Sequence, residues 1–239
     1  MSLFAIGDLH LSFDETVEKP MDIYGGQWID HTTKVKENWE KVVSEKDTII
    51  VAGDISWGLK LSEAMADLHW IDALPGQKVF VKGNHDLWWS SLSKLSKISE
   101  RMHFIQNQCY EGEDFIICGS RGWVCPGESG FSGQDRKIYD RELGRLKLSL
   151  EAGKKAKERA IEEGRNPKLI GVLHFPPTNE RMESSGFTDL FEAYDVKKVV
   201  YGHLHGREAF KNGLQGERKG IEYRLVSCDK LSCQLTCLL

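Results

Sequence analysis

Short apolar runs that stop abruptly at polar residues set the rhythm of this chain. Residues 3–6 (Leu-Phe-Ala-Ile), 48–52 (Thr-Ile-Ile-Val-Ala), 78–82, 168–173 and 196–201 have strand length and are rich in β-branched or aromatic side chains. The segments between them have other patterns. Over 31–44, Val35, Trp39, Val42 and Val43 fall near one face, which predicts a helix. Ser62 is placed to cap a helix running to about residue 73, with Glu63 in its first turn. The pattern further predicts a helix over 88–98 and a long charged helix over 138–163, broken near Gly153. Strands are expected at 102–105, 115–118, 222–227 and 232–238, and loops at 11–30 and 120–135, where Gly, Pro and Ser collect. Strands alternating with helices, without repeat or low-complexity segment, imply an α/β architecture. A length of 239 residues fits one domain spanning 1–239.

Each main apolar run is followed at once by a polar motif. These read Asp8-Leu9-His10, Gly53-Asp54, Gly83-Asn84-His85-Asp86, His174, and Gly202-His203-Leu204-His205. Five of the eight His residues lie in them. Ligand sites of open α/β sheets form beyond the carboxyl ends of the strands, so strand ends bearing carboxylates, imidazoles and an amide imply convergence on one centre. Those groups are ligands for divalent cations. Two adjacent cations need a shared ligand, and Asp54, alone after its strand, suits the bridge. Asp8 with His10, and His203 with His205, are spaced to point to one side of extended backbone. Asn84 can offer its amide oxygen and His174 an imidazole.

The ordered set resembles the calcineurin-like metallophosphoesterase superfamily, whose pattern is Asp-x-His, Gly-Asp, Gly-Asn-His-(Asp/Glu), His and Gly-His-x-His. The resemblance runs from residue 8 to residue 205 and includes every block. It implies a four-layer α-β-β-α sandwich with two mixed sheets flanked by helices. It implies that Asp8, His10 and His205 hold a first metal, that Asn84, His174 and His203 hold a second, and that Asp54 bridges both. It implies phosphoester hydrolysis by a metal-bridging hydroxide, with His85 near the leaving oxygen as general acid or as a donor to the transition state, and Asp86 orienting it. Mixed nitrogen and oxygen ligation suits two divalent ions, manganese first, with iron, zinc, nickel or cobalt as alternatives. One departure stands out. Ser/Thr protein phosphatases of the superfamily continue Gly-Asp-x-x-Asp-Arg-Gly, whereas Gly53-Asp54-Ile55-Ser56-Trp57-Gly58 lacks both the second acid and the Arg. That points away from protein phosphatases and toward a phosphodiesterase. A phosphomonoesterase acting on a small metabolite or nucleotide is the alternative, ahead of a nuclease or a non-catalytic scaffold.

Composition narrows the partners. A net charge of -4 and the lack of a Lys/Arg stripe disfavour nucleic acid, leaving a small-molecule phosphoester as the expected substrate. The N-terminus lacks the basic start and apolar stretch of a signal peptide, and no apolar run has the length of a membrane span, so a cytoplasmic location away from membrane is expected. The six Cys residues form no Cys-x-x-Cys pair and are expected as free thiols. Trp57, Trp88 and Trp89 lie beside the motifs, either as core packing or as a stacking wall. Trp28 and Trp123 lie in the two loops, where either could line the mouth of the site. Arg121, Arg136 and Arg181 are solvated surface by default, with a phosphate grip as the other reading for one of them. Nothing in the sequence speaks to oligomeric state.

Overall fold

Strands of four or five residues are long enough here because both faces of each are buried. The computed structural model describes residues 1–239. In chain order it contains β1 (Leu3–Ile6), α1 (His31–Val42), β2 (Thr48–Val51), α2 (Leu61–Ala73), β3 (Gln77–Val81), α3 (Leu92–Leu95), β4 (Met102–Ile105), β5 (Cys109–Glu111), β6 (Phe115–Gly119), α4 (Gly133–Glu162), β7 (Lys168–Val172), α5 (Gly186–Ala193), β8 (Lys198–Tyr201), α6 (Arg207–Lys211), β9 (Gly216–Arg218), β10 (Ile221–Leu225) and β11 (Thr236–Cys237). Two sheets result, with strand orders β11-β1-β2-β3-β4 and β5-β6-β7-β8-β10-β9. Strands β1 to β4 run parallel and β11 antiparallel; β6, β7, β8 and β10 run parallel, with β5 and β9 antiparallel at the edges. Both sheets are therefore mixed, as expected.

Alternation along each strand divides the side chains between three apolar layers. Leu3, Ala5, Ile50, Ala52, Val79 and Val81 of the first sheet meet Phe115, Ile117, Ile170, Val172 and Val200 of the second, forming the central layer. The opposite faces pack against helices. Phe4, Ile6, Ile49, Val51 and Phe80 bury against Val35 and Trp39 of α1 and Leu68 and Ile71 of α2. Ile116, Cys118, Leu169, Val199 and Tyr201 bury against Leu146, Leu150 and Ala156 of α4 and Phe187 and Phe191 of α5. This is the four-layer sandwich. Each fully buried Leu, Ile or Val contributes about 1.5–3 kcal/mol relative to exposure, so the continuous apolar strands read from sequence are the main source of cohesion. The two sheets also join through backbone: Gly7, just past β1, pairs with Ser227, just past β10, and donates to Val226 O at 2.7 Å.

Several expected elements differ. The helix expected over 88–98 is a single turn, α3. Trp88 is pinned into the interior by its indole N–H on Asp86, which holds the preceding chain in a turn. The start of α2 is set by the Glu63 carboxylate, which accepts from the backbone N–H of Leu59 and Lys60; Ser62 lies inside the helix. α4 begins at Gly133, with Ser132 accepting from Asp135 N, and runs unbroken through Gly153. A Cβ at Gly153 would lie within 2.2 Å of Cys118 Sγ, so its missing side chain lets the helix lie close on β6. α5, a helix not expected from the pattern of the chain, is capped by Ser185. All six cysteines are free. No helix is long and apolar enough to cross a membrane.

Candidate metal centre

Parallel pairing brings the carboxyl ends of β1, β2 and β3 to one edge, and the ends of β7 and β8 arrive there from the second sheet. Asp8, Asp54 and Asn84 follow the first three strands; His174, His203 and His205 follow the other two. The side chains form two groups. Asp8, His10 and His205 each place one ligand atom within 4.8 Å of the others, and so do Asp54, His174 and His203. Asp54 Oδ2 lies 3.8 Å from His10 Nε2 in one group and 3.4 Å from His174 Nε2 in the other. Asn84 Oδ1 lies 2.8 Å from His174 Nε2.

The backbone route differs from the extended one expected. Asp8, His10, Asp54 and His203 have φ of 57°, 47°, 48° and 73°. Non-glycine residues in this left-handed region are strained by about 1–3 kcal/mol each and persist only where the surroundings over-determine them. The surroundings here are backbone bonds and close contacts. Asp8 N donates to Gly53 O and His10 N to Asp54 O, each at 2.9 Å. A Cβ on Gly83 would meet Asp54 Oδ1 at 2.1 Å, and one on Gly202 would meet Asp8 Oδ2 at 2.2 Å. The glycines of two motifs thus serve to let carboxylates sit against backbone.

Hydrogen bonding fixes which ring nitrogens are free. His174 Nδ1 donates to Ala52 O at 3.0 Å, so its Nε2 keeps a lone pair. That lone pair faces the acceptor oxygens of Asn84 and Asp54 and stands 3.3 Å from His203 Nδ1. His205 Nδ1 donates to Asp229 Oδ1 at 3.0 Å, leaving Nε2 at 3.3 Å from His10 Nε2 and 3.6 Å from Asp8 Oδ1. Asp8 Oδ2 is buried without a hydrogen-bond partner. Lone pairs and carboxylate oxygens converging without enough protons between them are costly when buried. A cation in each group relieves that cost, and ligating His residues ordinarily donate their second N–H to a carboxylate or carbonyl. The donor set therefore fits two divalent ions.

Electrostatics agree. Burial pushes the Asp8 carboxyl up to about 8, with His205 pulling it down and Asp54 adding to the rise. Asp54 is raised as well, chiefly by burial. Burial drives His174 down to about 3 and His203 down to about 2, and holds His10 well below its ordinary value. Burial also lowers His205, but its hydrogen bond to Asp229 and the charge of Asp8 outweigh that, so the net shift is upward. Three of the four imidazoles are thus neutral near pH 7, the form that binds metal.

The two remaining motif residues part company. His85 is exposed, its ring centroid 5.7 Å from that of His10 and 4.5 Å from that of Trp57, and its backbone N–H donates to Asp54 Oδ1 at 2.8 Å. Asp86 is fully buried and makes no hydrogen bond to the His85 ring. Its Oδ1 accepts from Ile55 N, Ser56 N and Trp88 Nε1, and its Oδ2 from Gly83 N. The expectation that Asp86 orients His85 is corrected: its carboxylate accepts instead from the two loops carrying Asp54 and Asn84, which it ties together.

Other expectations resolve by position. Trp57 stacks on His10 at 4.7 Å, at the site itself, while Trp88 is core and Trp89 packs edge-on against Phe104. Trp28 meets the rings of both His10 and His205 edge-on. Trp123 packs at a tilt against Phe175, the neighbour of His174. Arg136 and Arg181 are exposed and pair with Asp140 and Glu183, whereas Arg121 is held beside His174, whose N–H donates to Arg121 O. Asp229 was not singled out from sequence. Its signal is the same as for the others, a carboxylate just past a strand, here β10.

Comparison with known proteins gives three kinds of likeness. The family model of calcineurin-like phosphoesterases matches residues 1–207. A curated relative, the gene 66 protein of Mycobacterium phage L5, is 39% identical over 57 residues, which span 24% of this chain and 27% of that protein's length. Two crystal structures share the fold. Phosphopantetheinyl hydrolase from Mycobacterium tuberculosis superposes with a TM-score of 0.54 at 16% identity, covering 100% of this chain and 95% of that one. A protein of unknown function from Aquifex aeolicus superposes at 0.52 and 14% identity, covering 99% and 95%.

Proposed function

As this chain belongs to the calcineurin-like phosphoesterases, we propose that it is a two-metal phosphoester hydrolase of the cytoplasm, acting on a small-molecule phosphodiester. In this reading Asp8, His10 and His205 hold one cation, Asn84, His174 and His203 hold the other, and Asp54 is shared. The observation that carries it is the place of Asp54 Oδ2, within 4 Å of an imidazole nitrogen from each group. Bound divalent ions supply a water of lowered pKa and neutralise charge on the phosphate oxygens.

The protein's own residues do the rest. Ala52 O and Asp229 fix the rings of His174 and His205 by accepting their Nδ1 protons. Asp86 keeps the Asp54 and Asn84 loops in register through its four accepted hydrogen bonds. His85, exposed beside the rings of His10 and Trp57, is in this reading the group that passes a proton from its imidazole to the departing ester oxygen. The missing Asp and Arg after Gly53-Asp54 favour a diester over a phosphoprotein, because no guanidinium stands there to grip a terminal phosphate. Manganese is the proposed metal, from ligand chemistry alone.

The test is a matched pair of substrates, nitrophenyl phosphate and bis-nitrophenyl phosphate, with added manganese, zinc, nickel, cobalt or iron. Metal-stimulated release that is faster from the diester supports the full reading. Faster release from the monoester replaces it with a phosphomonoesterase. No hydrolysis of either, together with no bound transition metal by elemental analysis, refutes it.

A further inference from the structure

Beside the metal centre, on the Asn84 and His174 side, a cleft of about 330 Å³ opens between the chain after β3 and the chain after β6. Lys82, Ser90, Ser91, Ser120, Arg121 and Arg145 contribute to its lining, together with the buried Glu142. We propose that this cleft is a second oxyanion subsite, which takes a phosphate or similar anionic group carried by the same substrate as the ester that is cut; this rests on the hydrolase reading above.

The cleft holds more positive charge than its own carboxylate can answer. Glu142 is buried, and Arg121 Nη2, Arg141 Nε and Arg145 Nη1 all approach the same oxygen, Oε1, at 3.5, 3.4 and 3.9 Å. None of these approaches reaches ordinary hydrogen-bond distance. Glu142 Oε2 and Arg121 Nε are buried with no partner. Lys82 adds a further cation to the wall. Elsewhere on α4, Lys147 pairs with Glu151 and Lys154 with Glu158, each a single acid one turn away. The cluster at Glu142 departs from that pattern, in a chain whose net charge is -4.

The cations are also built in. The Arg121 guanidinium lies over the Trp123 ring at 4.5 Å, and Trp123 Nε1 is tied to Asp135. Arg121 O accepts the His174 N–H, and Lys82 stands two residues before Asn84, so the subsite is fixed to the same loops as the metal centre. Planar guanidinium forks match oxyanions in geometry and charge, and the serine hydroxyls supply further donors. A volume of this size accommodates a phosphate on a short organic arm. The substrate is therefore bipartite, with its scissile ester at the metals and a second anion in the cleft.

The test compares nitrophenyl alkyl phosphodiesters whose alkyl arm ends in phosphate with the same diesters ending in hydroxyl, over a range of arm lengths, using manganese-loaded protein. If the enzyme proves a monoesterase, alkanediol bisphosphates and alkyl monophosphates make the equivalent pair. The arm of fitting length should raise kcat/KM by about tenfold or more over its hydroxyl match. Arg145→Gln and Lys82→Gln should collapse that ratio, and Arg145→Lys should restore part of it. Both residues are partly solvent-exposed, and Arg145 is the most distant of the three guanidinium groups from Glu142, so these variants spare the fold, whereas Arg121→Gln would strip a nearer and more buried partner from Glu142. A ratio near one in wild type, or a ratio that survives both variants, overturns the proposal.

A second readout needs no turnover. Sulfate titrated into chelator-treated protein should saturate a change in tryptophan fluorescence, through Trp89 in the lining and Trp123 against Arg121, and Arg145→Gln should abolish it. An unsaturable or unchanged response counts against the subsite. Arg145-dependent sulfate binding in a protein that hydrolyses no phosphoester would leave the cleft standing and remove the hydrolase reading. Hydrolysis without any preference for the second anion would do the reverse.

Discussion

His85 and Asp54 lie within one hydrogen bond of each other, yet substitution should separate them. His85→Ala removes an exposed imidazole that touches neither carboxylate through its ring. Turnover should fall by about 10²–10⁴-fold, the usual worth of general acid catalysis, with metal content by elemental analysis unchanged. Asp54→Asn removes the charge shared by both groups, so metal content and turnover should fall together. Loss of metal from the His85 variant would instead make that residue a ligand. At this scale the sequence carried much of the site: spacing and the position after a strand marked all seven candidate ligands, and the structure brings them together. It could not give hydrogen-bond direction. Asp86 follows His85 in the chain, but successive residues of a turn point apart, and its carboxylate belongs to Ile55, Ser56, Gly83 and Trp88. The role of Asp229 was hidden for the converse reason: its place after a strand is readable, but its bond to His205 joins residues 24 apart.

Among the elements, α4 offers a test inside a single helix. At Gly144 nothing lies within 4 Å of an added Cβ, so Gly144→Ala should stabilise by about 0.5–1 kcal/mol, the helix-propensity difference. At Gly153 the same methyl would collide with Cys118 Sγ, and overpacking of about 1–3 kcal/mol should outweigh the propensity gain. Urea denaturation should show the opposite signs, and Cys118→Ala should rescue Gly153→Ala in a double-mutant cycle. A glycine in a helical pattern reads as a break when the sequence is taken alone, because only the facing sheet reveals that it is a contact. The failed helix over 88–98 has a similar cause. Trp88 and Trp89 have helical neighbours in sequence, but the bond from Trp88 to Asp86 and the packing of Trp89 on Phe104 hold that stretch irregular. The β-strands were more legible, since continuous apolar runs buried on both faces need no tertiary information to stand out.

For the molecule as a whole, the buried site makes stability depend on pH and on metal. With metal removed by chelation, Asp8 has a folded pKa of about 8 against an ordinary 3.8, so between those values folding takes up a proton. Stability from this group is then lost as pH rises. His10, His174 and His203 act oppositely, but only below about 6.5, where the unfolded chain begins to protonate them. His205, raised on folding, loses its contribution as pH rises and so adds to the trend set by Asp8. The urea midpoint of the chelated protein should therefore fall between about pH 6.5 and pH 8, and Asp8→Asn should flatten that fall. Manganese-loaded protein should lack it, because bound cations favour the ionised carboxylate. Each candidate ligand group draws on both sheets: Asp8 and His10 stand opposite His205, and Asp54 stands opposite His174 and His203. Neither half of the sandwich can grasp an ion unaided. Damage deep in the central apolar layer, far from any donor atom, would spread the jaws of this vice, and its first symptom would be slack coordination in a protein that is still folded.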